Sequence, residues 1–255
     1  MICAVGEEDR RAFESLVPNV PVEVCGDSRF DRVIGRAAGS PSLDGPVWSA
    51  VRGHALVVVA GSTWPADEEM LSVLSADERI AVVVVPHEPT PEHVESARRA
   101  FPGARTYSEL EGMPTAEVRS VILDRTGMLA GLYRLADIAY VGGGFGAGVH
   151  SVLEPAVFGI PVACGPRIER SRDAEAMRRA GSLQVVERSS DLLAFVSSLA
   201  EDPERRRRLG EATYSFVLER SGAVERILSA LRGHSLLRNP SPKSLSLPFA
   251  SKGVR

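Results

Sequence analysis

The residues of strongest chemical character in this 255-residue chain gather in Ala139–Pro155, AYVGGGFGAGVHSVLEP. Five glycines fall within seven residues (Gly142, Gly143, Gly144, Gly146, Gly148), and His150, Ser151 and Glu154 follow them. Glycines this dense at the end of an apolar strand let the backbone approach another group closely and adopt positive φ. The residues after them read as a helix over Val149–Phe158, whose first free N–H groups and positive dipole end attract anions. The stretch is therefore a candidate cradle for a phosphate or nucleotide, with a carboxylate one turn further in. A tight strand-to-helix turn with no ligand would use the same glycines.

Other polar residues sit where strands should end. Ser62 and Thr63 could donate to a phosphate or carboxylate, or cap the following helix, and the two roles are compatible. His87 follows an apolar strand and Pro86; spacing alone favours a loop residue over a phosphate ligand. Glu154 lies four residues after His150, which puts both on one face of the expected helix. Its carboxylate could accept from ribose hydroxyls or simply complement the helix dipole. Arg167 and Arg170 add positive charge at the rim or are plain surface residues. His54 reads as structural, and His93 and His234 as surface residues. Gly142–Ala147 satisfies G-x-G-x-x-A, but the motif comes late in the chain. The strand after it ends in Ala163-Cys164-Gly165, with no acid for a ribose, which argues against a dinucleotide site. No Ser-His-Asp order, no His-x-x-x-His and no paired cysteines point to hydrolase or metal chemistry.

The elements that must position these residues are read from apolar runs and their punctuation. His54–Ala60 (HALVVVA) and Arg79–Val85 (RIAVVVV) are continuous apolar runs, the pattern of strands buried on both faces. Shorter strands are expected at Ala104–Tyr107, Ser120–Leu123, Ile138–Val141, Ile160–Cys164 and Leu183–Val186. Helices are expected between them at Pro65–Ser75, Pro91–Ala100, Gly127–Leu135, Val149–Phe158 and Ser171–Ala180, then Ser190–Leu199 and a long charged stretch, Asp202–Ala230. Strict alternation predicts an α/β fold, a mostly parallel sheet with helices on both faces. In such sheets ligands bind outside the carboxyl ends of the strands, where the polar residues above fall. Met1–Cys25 reads as a separate strand–helix–strand unit, and Ser28–Gly53 as a linker with one short helix around Arg32–Ala38.

Composition narrows the classes further. Hydrophobic residues make up 44% and charged residues 25%, ordinary for a globular protein, and the net charge of -3 gives no general attraction to nucleic acid. The three cysteines show no metal spacing and no disulfide framework. No apolar run reaches the roughly 18 residues of a membrane span, and the chain reads as cytoplasmic.

Four stretches together resemble a known family: GDSRFDRV at Gly26–Val33, AGSTWPADEE at Ala60–Glu69, VPHEP at Val85–Pro89 and LYRLADIAYVGGGFGAGVHSVLEPAVFGIPVACGP at Leu132–Pro166. They are similar to the 3-deoxy-D-manno-octulosonic acid (Kdo) transferases of lipopolysaccharide synthesis, and the similarity runs over Met1–Leu231. The resemblance implies a GT-B glycosyltransferase, in which two Rossmann-like domains face each other across a cleft. The C-terminal domain would bind CMP-Kdo and the N-terminal domain would carry the acceptor surface and the catalytic base. By matching motifs, the donor site would be lined by Ser62, Thr63, His87, Gly127, Gly143, Gly144, Phe145, Gly146, His150, Ser151 and Glu154. Ser151 stands where the family commonly has Asn.

The resemblance assigns residues 1–28 to a remnant of the N-terminal domain and 29–53 to a linker. It assigns 54–232 to the Rossmann-like donor domain and 233–255 to a disordered tail. The family's acceptor-side glutamate has no counterpart, so the catalytic residue is unknown. The implied reaction transfers Kdo to a lipid A precursor, at the cytoplasmic face of the inner membrane or in the cytoplasm, without metal or cofactor. A separately encoded N-terminal half is an implied partner; no nucleic acid and no transmembrane segment are. Two alternatives stand beside it: an inactive nucleotide-binding module, and a GT-B enzyme using a UDP-sugar.

Overall fold

The computed structural model describes residues 1–40, 45–113 and 118–236. It divides into two compact units, Met1–Asp31 with the chain from Arg220 onward, and Arg32–Glu219.

The larger unit is built on a seven-stranded sheet. In chain order its strands follow two short ones of the smaller unit, so they are β3 (Leu56–Thr63), β4 (Ile80–Pro86), β5 (Arg105–Thr106), β6 (Ser120–Ile122), β7 (Ile138–Val141), β8 (Val162–Cys164) and β9 (Gln184–Val185). Every pairing is parallel, in the order β5-β6-β4-β3-β7-β8-β9. The continuous apolar runs arise because both faces are covered. Leu56, Val58, Ala60, Ile80, Val82 and Val84 pack on one face with Leu71, Leu74 and Phe101. Val57, Val59, Ala81, Val83 and Val85 pack on the other with Val47, Val51 and Leu132. That is the period-two alternation of a strand with apolar residues in both phases. Each fully buried Val contributes roughly 1.5–3 kcal/mol of transfer free energy.

From β3 the chain moves outward to β4 and on to the edge strand β5, returns to fill the gap with β6, then crosses to β7 on the other side of β3. The topological switch point therefore lies between β3 and β7, with the ends of both strands opening on the crevice where such folds hold ligands.

The smaller unit pairs β1 (Ile2–Ala4) with β2 (Val22–Val24) in parallel, Ile2 opposite Val22, around the helix Glu7–Leu16. The helix Ala223–Gly233 joins it: Asp31 accepts from the Gly222 and Val224 N–H groups at 2.6 and 3.1 Å, and Arg226 Nε donates to the Cys25 carbonyl at 2.8 Å.

Several elements differ from the sequence expectation. Residues 29–53, expected as a linker with one short helix around Arg32–Ala38, carry that helix as the longer Ser28–Gly39 and a second one, Pro46–Val51, which forms because Val47, Ala50 and Val51 share a face and are buried. Asp202–Ala230 is two helices, Pro203–Leu218 and Ala223–Gly233, broken where Gly222 adopts φ +86°. The expected helix Val149–Phe158 shrinks to Leu153–Ala156, and Gly127–Leu135 to Leu129–Leu132 with a 3-10 turn at Tyr133–Leu135. The part of the expected tail from residue 237 onward lies outside the described residues.

Candidate functional site

At the end of β3 the register against β4 shifts between Gly61 and Thr63, and Ser62 in the bulge adopts φ 53°. A non-glycine residue in the left-handed region is strained by about a kcal/mol or more, and such strain concentrates at functional sites. Across the switch point, the Gly142 N–H donates to the Gly61 carbonyl at 2.9 Å. A Cβ on Gly142 would lie 2.7 Å from the Thr63 Cα, so only glycine lets the two strand ends approach this closely.

Asp67 ties the crevice together from below. It is 1% exposed; its Oδ1 accepts from the Tyr140 hydroxyl at 2.9 Å, and its Oδ2 accepts from the Gly143 N–H at 2.9 Å and the Trp64 N–H at 3.0 Å. One carboxylate thus joins β7, the glycine loop and the start of the helix Pro65–Leu71. Burial, then Asp67, push the Tyr140 hydroxyl well above its ordinary pKa, so it stays a donor.

The glycine loop folds back on itself. Gly146 and Gly148 N–H donate to the Gly143 carbonyl at 2.9 and 3.1 Å. Arg167 clasps the loop: its N–H donates to the Gly144 carbonyl at 2.9 Å, its Nη1 to the Gly146 carbonyl at 2.7 Å, and its own carbonyl accepts from Val149 at 3.0 Å. The N–H groups of Gly144, Phe145 and Ala147 have no partner among the described residues. Unpartnered amides in a glycine turn are the donor type that receives anions. Beside them a depression of about 410 Å³ is lined by Gly146, Ala147, Gly148, Arg167, Glu169 and Arg170.

A ring cluster borders the loop. His150 stacks on His87 with centroids 4.2 Å apart, and the Trp64 indole N–H donates to His150 Nε2 at 3.1 Å. Trp64 also stacks on His93 at 6.0 Å. His93 is anchored at both nitrogens, Nε2 to Glu68 Oε1 at 2.9 Å and Nδ1 to the Glu88 carbonyl at 3.0 Å. Burial pushes the Glu68 carboxyl above its usual range, against the hydrogen bonds from Thr63 and His93. Burial, then His87, hold His150 below the ordinary histidine pKa, with Asp67 acting the other way.

The structure brings most of the expected residues to this crevice, in altered roles. Thr63 is fully buried and its hydroxyl donates to Glu68 Oε1 at 2.8 Å, so it faces the interior and does not cap the following helix, whose N-cap is Trp64. His150 and Ser151 precede the short helix, so His150 and Glu154 do not share a helical face. The reason is tertiary: His150 N–H donates to the Gly142 carbonyl at 3.0 Å and Val149 N–H to the Arg167 carbonyl at 3.0 Å, which turns the chain back toward the loop. A four-residue helix also has little dipole, so it adds little attraction for an anion. Glu154 is partly exposed, with Arg36 Nη1 3.5 Å from its Oε1. Phe145 is half-buried against the core, and Gly143 adopts φ +91°. Gly127 occupies an exposed turn with φ +84° and open space around it. Sequence reasoning missed Trp64, Asp67, Glu68 and Tyr140, and it read His93 as a surface residue although the side chain is 9% exposed. Among the described residues no His, Cys, Asp and Glu side chains are grouped to hold a metal ion, and no helix is long and apolar enough to cross a membrane.

A seven-stranded parallel sheet with a switch-point crevice and a glycine loop after β7 is the α/β fold shared with GT-B glycosyltransferases. The C-terminal CMP-Kdo binding domain of WaaA from Acinetobacter baumannii superposes with a TM-score of 0.61 at 22% identity, over 74% of this chain and 100% of that one. Anabaena Alr3699/HepE in complex with UDP superposes with a TM-score of 0.53 at 13% identity, over 93% of this chain and 64% of that one. In sequence, the chain is related to the 3-deoxy-D-manno-octulosonic acid transferases. That of Haemophilus influenzae is 27% identical over 200 residues, 74% of this chain and 44% of the relative. That of Bordetella pertussis is 25% identical over 221 residues, 82% and 50% of the two chains. The chain thus spans about half the length of the curated relatives it matches. No protein-family model matches it.

Proposed function

We propose that this chain is the donor-binding half of a Kdo transferase, holding CMP-Kdo at the crevice between β3 and β7 for transfer to a lipid A precursor. The observation that carries the reading is the turn Gly144–Ala147, with three unpartnered amides at the switch point beside His150. The amides would receive the phosphate of CMP, and the His87–His150 stack would border the nucleotide. Glu154 would accept from the ribose hydroxyls. In the proposed reaction an acceptor hydroxyl attacks the anomeric carbon, the bond to the phosphate oxygen breaks, and CMP leaves. The acceptor proton needs a base, which this reading assigns to an N-terminal half beyond the residues matched here. β1, β2 and the helix between them are then the last strand–helix–strand unit of that half. The reaction takes place at the cytoplasmic face of the inner membrane and uses no metal.

The structural likeness to a protein in complex with UDP makes a UDP-sugar the competing donor. Titration calorimetry with CMP and UDP separates the two. Binding of CMP in preference to UDP, weakened about tenfold or more by Glu154→Ala through loss of hydrogen bonds to a charged acceptor, is the expected result. Preference for UDP, or an unchanged affinity in the variant, overturns the reading.

A further inference from the structure

We infer that Trp64 is the positioning residue of this site: its indole N–H locks His150 as the neutral Nδ1–H tautomer, so that His150 presents Nδ1–H as a fixed donor to a phosphate or hydroxyl acceptor on the nucleotide. The inference rests on the proposed nucleotide reading for its ligand, but not for the tautomer.

An indole nitrogen can only donate, so the 3.1 Å contact from Trp64 Nε1 requires His150 Nε2 to be the acceptor. A neutral imidazole accepting at Nε2 carries its proton at Nδ1. His150 Nδ1 has no partner among the described residues and is not among the buried unpartnered atoms, so it is open to a ligand. The ring cannot turn away freely. It is stacked on His87, and its Cδ2 lies 2.9 Å from where a Cβ on Gly143 would stand, so any residue but glycine would push it out of place.

Trp64 is itself held from behind. Its ring stacks on His93, which is fixed between Glu68 Oε1 and the Glu88 carbonyl, while its backbone N–H is bound by Asp67. The sequence Thr63–Glu68–His93–Trp64–His150 is therefore a chain of contacts running from the buried end of β3 to the loop rim. The charged and titratable groups around His150 agree with a neutral ring: His87 stacks on it from the end of β4 and opposes a second positive charge, while Asp67 on the helix Pro65–Leu71 favours one. Glu68 and His93 lie on the far side of Trp64. Protonating His150 Nε2 would set two donors face to face and break the Trp64 bond.

The test uses the full chain labelled with 15N-histidine, without ligand. Long-range proton–nitrogen correlations at pH 7 should show His150 protonated at Nδ1 alone. In Trp64→Phe the ring should move to the Nε2–H form or a mixture, and its titration midpoint should rise. An Nε2–H form or an imidazolium at pH 7 in the wild type refutes the inference without any variant. An unchanged tautomer in a folded Trp64→Phe protein refutes it too. Titration with CMP supplies the second arm. Affinity in Trp64→Phe should fall about three- to tenfold, the worth of one hydrogen bond. Equal CMP affinity alongside a shifted tautomer overturns the donor role of Nδ1. Failure of the wild type to bind CMP overturns the nucleotide reading while leaving the tautomer result standing.

Discussion

Gly144→Ala isolates the packing of the glycine loop from its conformational strain. Gly144 is not at positive φ, unlike Gly143 at +91° and Gly148 at +128°, so alanine there meets no backbone penalty. What it meets is Gly165: the added Cβ would lie 2.6 Å from the Gly165 Cα and 2.7 Å from its N and C atoms. These are backbone atoms at the end of β8 and cannot rotate away. Over-packing of this kind typically costs about 1–3 kcal/mol. For a protein of this size each kcal/mol lowers Tm by about 2–4 °C, so the expected loss is about 2–12 °C. Gly146→Ala is the control, because its nearest heavy atom is the Gly143 carbonyl oxygen at 3.7 Å, an ordinary contact. Differential scanning calorimetry of the three proteins reads the difference directly. A Gly144→Ala protein as stable as the wild type, or a Gly146→Ala protein equally destabilised, would refute the close approach of the loop to β8.

Two further substitutions probe the groups beneath the loop. Asp67→Ala leaves three donors without their acceptor, two of them buried, and should cost about 3 kcal/mol or more by urea denaturation; a loss under about 1 kcal/mol would contradict the central role given to that carboxylate. Glu68 has its folded pKa raised above the ordinary 4.5 by burial, so its contribution is fully present below the unfolded value and is lost as pH rises through the folded one. The Tm of the wild type should therefore fall relative to Glu68→Gln as pH is raised from 4.5 toward neutrality, and a constant difference would show that the carboxyl is not perturbed.

The sheet was legible in the sequence because the runs His54–Ala60 and Arg79–Val85 are apolar in both phases over Leu56–Ala60 and Ile80–Val85, the pattern of two-sided burial. The glycine loop was legible because no other residue type tolerates such approach. The helix after it was not. Val149 and His150 send their N–H groups to Arg167 and Gly142, partners fixed by the tertiary fold, where helical periodicity would send them four residues back. The ring cluster was hidden for the same reason. Glu68 and His93 are 25 residues apart and Trp64 and His150 are 86 apart, so no local spacing announces them. His93 reads as a surface residue on an amphipathic helix until the strand ends bring Glu68 and Trp64 against it. Ser62 is the opposite case: its position at a strand end was evident, but the bulge that strains it depends on the register between β3 and β4.

Amide chemical-shift mapping with CMP tests the proposed donor site most directly. The expected perturbations centre on Gly144, Phe145 and Ala147, the three unpartnered amides, and extend to His150 and Glu154. Perturbations confined to the depression of about 240 Å³ at Gly181–Gln184 and Phe195 would contradict the proposed site, as would none at all.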